Sequence, residues 1–337
     1  MMTFKYKIKI LFYIILYKIM CGITIICSKK NVNIINNVIS SLEQIQNRGY
    51  DSVGIAMKNN DNWDIKKAAS INNNDGLIKL EEKIKNNSTT MAIAHTRWAT
   101  HGSKSEINSH PHISMNKNII LVHNGIISNF QELKTFLKEK GYTFYSETDT
   151  EVIANLIEYY LKDNTIYNAI KIACDNMIGT WALGIINIEE PEHIYITRHG
   201  SPLVLGYNED LIICSSETAG FAGLIYNYIN LDNNDIIRVN SSGYTTSNKY
   251  DIKKINSQII ISSPSPHKHW TIKEINEQSL TVLSAINNGA RIINDNIILE
   301  GLNNLKNNNN IQDIEHIIIL GCGTSYHAAM IGKYYLN

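Results

Sequence analysis

Three short apolar runs constrain the fold most, because each meets a cluster of polar, chemically useful residues. Ile23–Cys27, Met91–His95 and Ile119–His123 have the length and β-branched content of buried strands and are too short for helices. The first follows directly on Cys21-Gly22, the second runs into Thr96-Arg97-Trp98, and the third runs into Asn124-Gly125. Further strands are predicted at Arg48–Ala56, Trp181–Ile188, His193–Arg198 and Leu211–Cys214, with Asn59–Asp64 a polar turn. Between them the apolar spacing turns helical. Val32, Ile35, Val38, Ile39, Leu42 and Ile45 predict a helix over Val32–Gln46. Ser128 is placed to cap a helix over Phe130–Lys140 that Gly141 stops, and Thr148 to cap one over Glu151–Leu161. Strands and helices alternate in blocks without a regular βαβ repeat. The expected fold class is therefore α+β, with sheets packed on each other and helices outside.

The SSPSP stretch Ser262–Pro266 reads as a linker. Beyond it the spacing predicts a long helix over Ile272–Ile293, a strand at Ile317–Leu320, a glycine-rich turn and another helical run. The expected division is an extension at 1–20, a main domain at 21–258, a linker at 259–271 and the start of a second domain at 272–337. Lys+Arg and Asp+Glu both total 31, so formal net charge is zero and nothing advertises nucleic-acid or anionic-membrane binding. The five cysteines lack any CxxC pair, which argues against a zinc site or a disulfide framework and for a reducing, cytoplasmic compartment. Asparagine runs at Asn72–Asn74 and Asn307–Asn310 read as biased composition collecting in loops.

Residues 1–20, MMTFKYKIKILFYIILYKIM, place Lys5, Lys7 and Lys9 before the apolar run Ile10–Tyr17. That resembles a short secretory segment, but the run falls short of the about 20 apolar residues a membrane span needs. No small-residue cleavage site follows, and Met20 is a poor residue before a lipidated cysteine. The favoured expectation is that Met20 is the true start. Removal of Met20 leaves Cys21 as the first residue of the mature protein, with a free amine.

That amine matters chemically. A thiolate is the nucleophilic form of cysteine, and an α-amine titrating near roughly 7.7–8 can take the thiol proton itself or through one water. Taken alone, Cys21 is equally readable as a buried inert thiol. Arg48-Gly49-Tyr50-Asp51-Ser52 offers a cation and an acid, or merely a turn with a local salt bridge. His95-Thr96-Arg97-Trp98-Ala99-Thr100-His101-Gly102 includes an arginine fork suited to a carboxylate. The rival for that region is a metal site using His95, His101, His110 and His112, without the spacing of a usual ligand set. Asn124-Gly125 can build an oxyanion hole or a tight turn. Ser146–Glu151 reads as a capping box, with Asp149 also placed to hold a substrate ammonium. Gly321–His327 joins strand to helix and can hold a phosphate. It lacks the lysine of a nucleotide-binding loop.

Together these strings resemble the glutamine–fructose-6-phosphate aminotransferase (isomerizing) family, the glucosamine-6-phosphate synthases. The matching segments are CGI at Cys21, RGYDSVGIA at Arg48, IAHTRWATHG at Ile93, SHPH at Ser109, VHNGIISNF at Val122, SETDTEVIANLI at Ser146, RHGSPLVLG at Arg198, SSE at Ser215, KEINEQ at Lys273 and CGTSYHA at Cys322. The resemblance implies a four-layer αββα N-terminal-nucleophile glutaminase followed by sugar-isomerase (SIS) domains, with L-glutamine and fructose 6-phosphate as substrates. It implies no cofactor, no metal and a dimer at full length. By motif it makes Cys21 the nucleophile and Asn124 with Gly125 the oxyanion hole. Arg97, Thr100, His101 and Asp149 become the glutamine-binding set, Trp98 the ammonia gate, and Thr324 with Ser325 the opening of the sugar-phosphate site. Ser279 departs from the proline usual after KEIxEQ, and most of the SIS region is not in the sequence. Other N-terminal-cysteine amidotransferases (amidophosphoribosyltransferase, asparagine synthetase, glutamate synthase) are the alternatives, and the SIS-type turn at Cys322–His327 weighs against them. A non-catalytic remnant is the alternative from outside enzymology.

Overall fold

The computed structural model describes residues 21–71, 75–99, 102–255, 265–285, 292–293, 296–297, 319 and 323–336. Residues 1–20, Thr100 and His101 lie outside the described residues, as does most of the expected strand at Ile317–Leu320. The chain divides into two compact units, with the boundary between Ile261 and Ser262.

The larger unit is built on two antiparallel sheets. One is formed by β1 (Gly22–Ser28), β2 (Ser52–Asn59), β3 (Asn62–Ala69), β4 (Met91–Arg97), β9 (Val204–Tyr207), β10 (Leu211–Ser215), β11 (Asn227–Asn230) and β14 (Lys253–Lys254). Its order is β14-β11-β9-β10-β1-β4-β2-β3, which leaves β1 paired on both sides. The other sheet has β5 (His112–Ile113), β6 (Ile119–Ile127), β7 (Gly179–Asn187), β8 (Ile194–His199), β12 (Ile236–Asn240) and β13 (Gly243–Thr245), in the order β13-β12-β8-β7-β6-β5.

Alternation along the strands sorts their side chains into layers. Ile23, Ile25 and Cys27 of β1, Met91 and Ile93 of β4, and Ile120 and Val122 of β6 share one cluster between the sheets. The opposite faces of β1, β2 and β4 pack on helices α1 (Ile35–Gln44) and α2 (Gly76–Ile84). The outer face of the second sheet packs on α3 (Phe130–Glu139), α4 (Asp149–Leu161) and α5 (Ile166–Asn176). This is the four-layer αββα arrangement.

Several boundaries differ from the sequence reading. Arg48 belongs to a short 3₁₀ turn, Gln46–Arg48, and the strand starts only at Ser52. The polar stretch after Asn59 is a hairpin whose second arm is β3, with Asn59 directly opposite Asn62. Helix α1 is shorter than the apolar spacing, beginning at Ile35. Ser128 does not cap α3. Asn129 holds the N-cap position without a side-chain bond, while Ser128 Oγ donates to Ile178 O at 2.8 Å. Gly141 stops that helix at φ +87°. Thr148 caps α4 by accepting the Glu151 amide, a contact worth about 1 kcal/mol at a typical N-cap. Glu151 reaches back to the amides of Tyr145 (2.8 Å) and Ser146 (2.7 Å). The capping reading therefore holds, with a slightly longer loop.

In the smaller unit the described elements are α6 (Trp270–Ala285), the paired β15 (Ile292–Ile293) and β16 (Asn296–Ile297), and α7 (Gly323–Leu336). The long helix expected to run to Ile293 ends within the described residues at Ala285, and Ile292–Ile293 is strand instead. Among the described residues no helix is long and apolar enough to cross a membrane.

Candidate active site

Cys21 stands immediately before β1, where β1, β4, β6 and Ser215-Ser216 come together at one end of the sheet sandwich. It is half-buried, whereas Cys27, Cys174 and Cys214 are buried. Burial pushes the Cys27 and Cys174 thiols up to about 12 and that of Cys214 well above its ordinary value. These three are inert packing groups. Burial also raises the Cys21 thiol, but there the Trp98 backbone and the Arg97 and Arg48 guanidiniums pull the other way. The Trp98 amide donates to Cys21 Sγ at 3.1 Å. Among the described residues no other cysteine is both less than fully buried and flanked by cations.

Gly22 allows a close approach to its neighbours. It is the first residue of β1, in register with Thr96, and a Cβ there would lie 2.6 Å from Thr96 Oγ1 and 2.8 Å from Ile45 Cδ1. The close approach lets Gly22 N donate to Thr96 Oγ1 at 3.2 Å.

Asn124-Gly125 is not a tight turn. Both lie within β6, with Asn124 opposite Ala182 and Gly125 opposite Trp181 of β7. Asn124 is buried, and its Nδ2 donates to Cys21 O at 2.5 Å and to Ser216 Oγ at 2.8 Å. Gly125 has φ +141°, and a Cβ would come 2.0 Å from Thr180 O. Only glycine fits there. Gly125 lines a pocket with Cys21, Arg97, Trp98, His110, His123, Thr148, Asp149 and Thr150.

Two oppositely charged side chains face this pocket. Arg97, at the end of β4, is buried; burial lowers its pKa while Cys21, Asp51, Asp149 and Glu147 favour its charged form. Asp149, first residue of α4, is buried and accepts Ile127 N at 3.0 Å. A carboxylate is favoured at that helix N-terminus. An amine and a carboxylate on one small ligand would find complementary partners here.

The segment after β4 is tied down by acids. Asp51 accepts Ala99 N at 2.9 Å and pairs with Lys104 at 2.5 Å, and Glu147 accepts Ser103 N at 3.1 Å. Trp98 meets Tyr50 edge to face, with centroids 5.0 Å apart. Arg48 donates to Cys21 O at 3.2 Å and approaches Glu217 at 3.5 Å. The RGYDS string is thus more than a local turn, because its cation and its acid both reach the pocket's rim. Residue-level reading assigned no role to Arg48, Asp51 or Ser216, although all three stand in strings that carried the resemblance.

The histidines form a buried column. His95 and His110 stack with centroids 3.9 Å apart, and His110 meets His112 edge to face at 5.0 Å. Burial holds His95 down to about 3 and His110 and His112 well below their ordinary value. All three are neutral at physiological pH. Among the described residues no group of three or more His, Cys, Asp or Glu is placed to hold a metal ion. The side chains of Thr324 and Ser325 lie outside the described residues, although both positions belong to the first turn of α7.

A family model for the glutamine amidotransferase domain matches residues 95–223. The chain carries a glutamine amidotransferase domain. It is 37% identical over 332 residues to a probable glutamine–fructose-6-phosphate aminotransferase [isomerizing] of Acanthamoeba polyphaga mimivirus, covering 94% of this chain and 52% of that one. It is also 37% identical over 327 residues to the glutamine–fructose-6-phosphate aminotransferase [isomerizing] of Caldanaerobacter subterraneus subsp. tengcongensis, with the same coverage. The chain therefore spans about half the length of the curated relatives it matches. A solved glutamine phosphoribosylpyrophosphate amidotransferase from B. subtilis superposes with a TM-score of 0.58 at 23% identity, covering 71% of this chain and 50% of that one. At that identity the likeness speaks to the fold alone.

Proposed function

We propose that this amidotransferase domain hydrolyses L-glutamine to glutamate and ammonia with Cys21 as nucleophile. The observation that carries the reading is the placement of an accessible thiol beside a buried amide donor, between Arg97 and Asp149. The Cys21 thiolate attacks the side-chain carbonyl carbon of glutamine, and the electron pair moves onto oxygen beside Asn124 and Gly125. As the tetrahedral adduct collapses, the proton taken from the thiol passes to nitrogen, ammonia leaves and a thioester remains, which water opens to glutamate and free thiol. Arg97 holds the α-carboxylate and Asp149 the α-ammonium, while Thr100 and His101 complete the glutamine set.

A base is still required, because burial keeps the Cys21 thiol protonated at neutral pH. The α-amine of Cys21 supplies it once residues 1–20 are absent. Protein produced from Met20, with that Met removed, should hydrolyse glutamine, whereas protein retaining residues 1–20 should be inactive. Mass analysis of the active species would identify its first residue. Full activity with the extension intact would sink the assignment of the amine.

By the same reading, the complete enzyme is a glutamine–fructose-6-phosphate aminotransferase that passes ammonia to fructose 6-phosphate and yields glucosamine 6-phosphate. Trp98 gates the ammonia path, and Thr324 and Ser325 open the sugar-phosphate site. The glutaminase domain covers 21–258 and the SIS part begins at 272. The enzyme works in the cytoplasm as a dimer, without nucleic acid.

Asp149→Ala and Arg97→Ala should raise KM for glutamine by roughly 10–100-fold, the range of losing a charge-assisted hydrogen bond, and change kcat much less. Both pair with charges that glutamine already carries in its ground state. Steady-state kinetics decide. A fall in kcat at constant KM would place these residues in the chemical step instead.

A further inference from the structure

The interior of the sheet sandwich is apolar along most of its length and becomes polar where His95 of β4 meets Asn124 of β6. His95 follows Met91 and Ile93 on the inward face of its strand, and Asn124 follows Ile120 and Val122 on the inward face of the other. His95 Nε2 lies 3.0 Å from Asn124 Oδ1 and 3.0 Å from the His123 carbonyl oxygen. The carbonyl can only accept, so Nε2 carries the proton.

The same geometry fixes the Asn124 amide. Its other terminus lies 2.5 Å from the carbonyl oxygen of Cys21 and 2.8 Å from Ser216 Oγ. Turning the amide over would set oxygen against that carbonyl and present –NH₂ to an imidazole N–H. Two mismatches would then replace two hydrogen bonds. Ser216 Oγ, which also accepts Ile23 N at 2.8 Å, supports the nitrogen side, and His95 alone supports the oxygen side.

Among the described residues, His95 Nδ1 is buried with no hydrogen-bond partner. A buried polar atom left unpaired is uncommon and calls for an explanation. Here the imidazole is stacked on that of His110, the two rings 11° from parallel, with its only proton spent on Nε2. The arrangement favours one tautomer at the expense of the other nitrogen.

We propose that His95 is a positioning residue for glutamine hydrolysis. Its Nε2–H locks the Asn124 side chain with the amide nitrogen toward Cys21, where the N–H now given to the Cys21 carbonyl can turn to the oxyanion. This rests on the glutaminase reading above. His95 is not among the residues lining the pocket, and it acts through Asn124.

The test uses the whole chain beginning at Cys21. His95→Leu should lower kcat roughly tenfold, the scale of one orienting hydrogen bond, and leave KM within about twofold. His95→Gln, whose amide N–H can reach the same oxygen, should recover most of that loss. In an Asn124→Ala background the His95→Leu effect should vanish, since there is no amide left to orient. Losses that simply multiply in the double variant, or a change confined to KM, would overturn the proposal. Should His95→Leu not fold, long-range ¹H–¹⁵N spectra of the unaltered protein still decide. They should show His95 protonated on Nε2 and bare on Nδ1 at neutral pH, and the opposite tautomer would refute the lock. If the parent chain does not hydrolyse glutamine, the functional reading fails, while the spectra still report on the geometry.

Discussion

Cys21→Ala should bring glutamine hydrolysis down to background, a loss on the order of 10⁴–10⁶ in kcat when a hydrolytic nucleophile is removed. Cys21→Ser should be nearly as damaging, because a hydroxyl is far harder to ionise than a thiol. The site offers little to compensate. The groups that favour anion at Cys21 are Arg97, Arg48 and the Trp98 amide, and burial already outweighs them for a thiol. A diazoketone analogue of glutamine should label Cys21 and spare Cys27 and Cys174, whose thiols burial pushes up to about 12, and Cys214, which burial raises well above its ordinary value. Peptide mapping after partial labelling is the direct measurement. Comparable labelling of any other cysteine, or residual turnover by Cys21→Ala well above the blank, would remove Cys21 from the role.

The strands that frame this site were legible because both of their faces are covered. Ile23–Cys27, Met91–His95 and Ile119–His123 sit in the inner layers of a four-layer fold with both faces covered, so the sequence shows mostly apolar runs, broken in β1 by Thr24, which bonds Ser41. Edge strands gave no such signal. Asn62–Ala69 alternates between polar and half-buried residues at the end of its sheet and passes for part of a loop. Helix α2 was hidden for a similar reason, its apolar residues being diluted by Lys79, Glu81, Glu82 and Lys83 on the outer face. The polar site divides along a different line. Cys21, Arg97, Gly125 and Asp149 line one pocket, and Asn124 reaches the Cys21 carbonyl beside it. Their supports were invisible to local spacing. Ser216 reaches Asn124 across 92 positions, Arg48 reaches Cys21 across 27, and His95 reaches Asn124 across 29. A period of two says which face a residue takes but not which residue of the opposing sheet it will meet.

Asn124→Ala should lower kcat by roughly 10²–10³, the cost of one oxyanion donor at about 2.7–4 kcal/mol, while KM for glutamine changes little. The uncharged carbonyl of bound glutamine needs that donor only weakly, whereas the oxygen becomes anionic as the thioester forms. The Asn124 amide is already oriented, its nitrogen 2.5 Å from the Cys21 carbonyl and its oxygen 3.0 Å from His95 Nε2. The amide therefore need not turn over, but one N–H now given to the Cys21 carbonyl or to Ser216 has to pass to the oxygen as it becomes anionic. Alanine removes the donor but leaves β6 its backbone pairing with β7, so a simple loss of fold would show separately as a lowered melting temperature. Asn124→Asp offers a sharper version of the same experiment. It keeps the shape and one acceptor for His95, yet it presents a carboxylate oxygen where the –NH₂ stood, facing the developing negative charge. Its kcat should fall at least as far as that of Asn124→Ala. If Asn124→Asp were nearly as active as the parent, or if Asn124→Ala raised KM at constant kcat, the amide would be a brace for the Cys21 carbonyl and Ser216, and the oxyanion would have to be held by Gly125 and its neighbours alone.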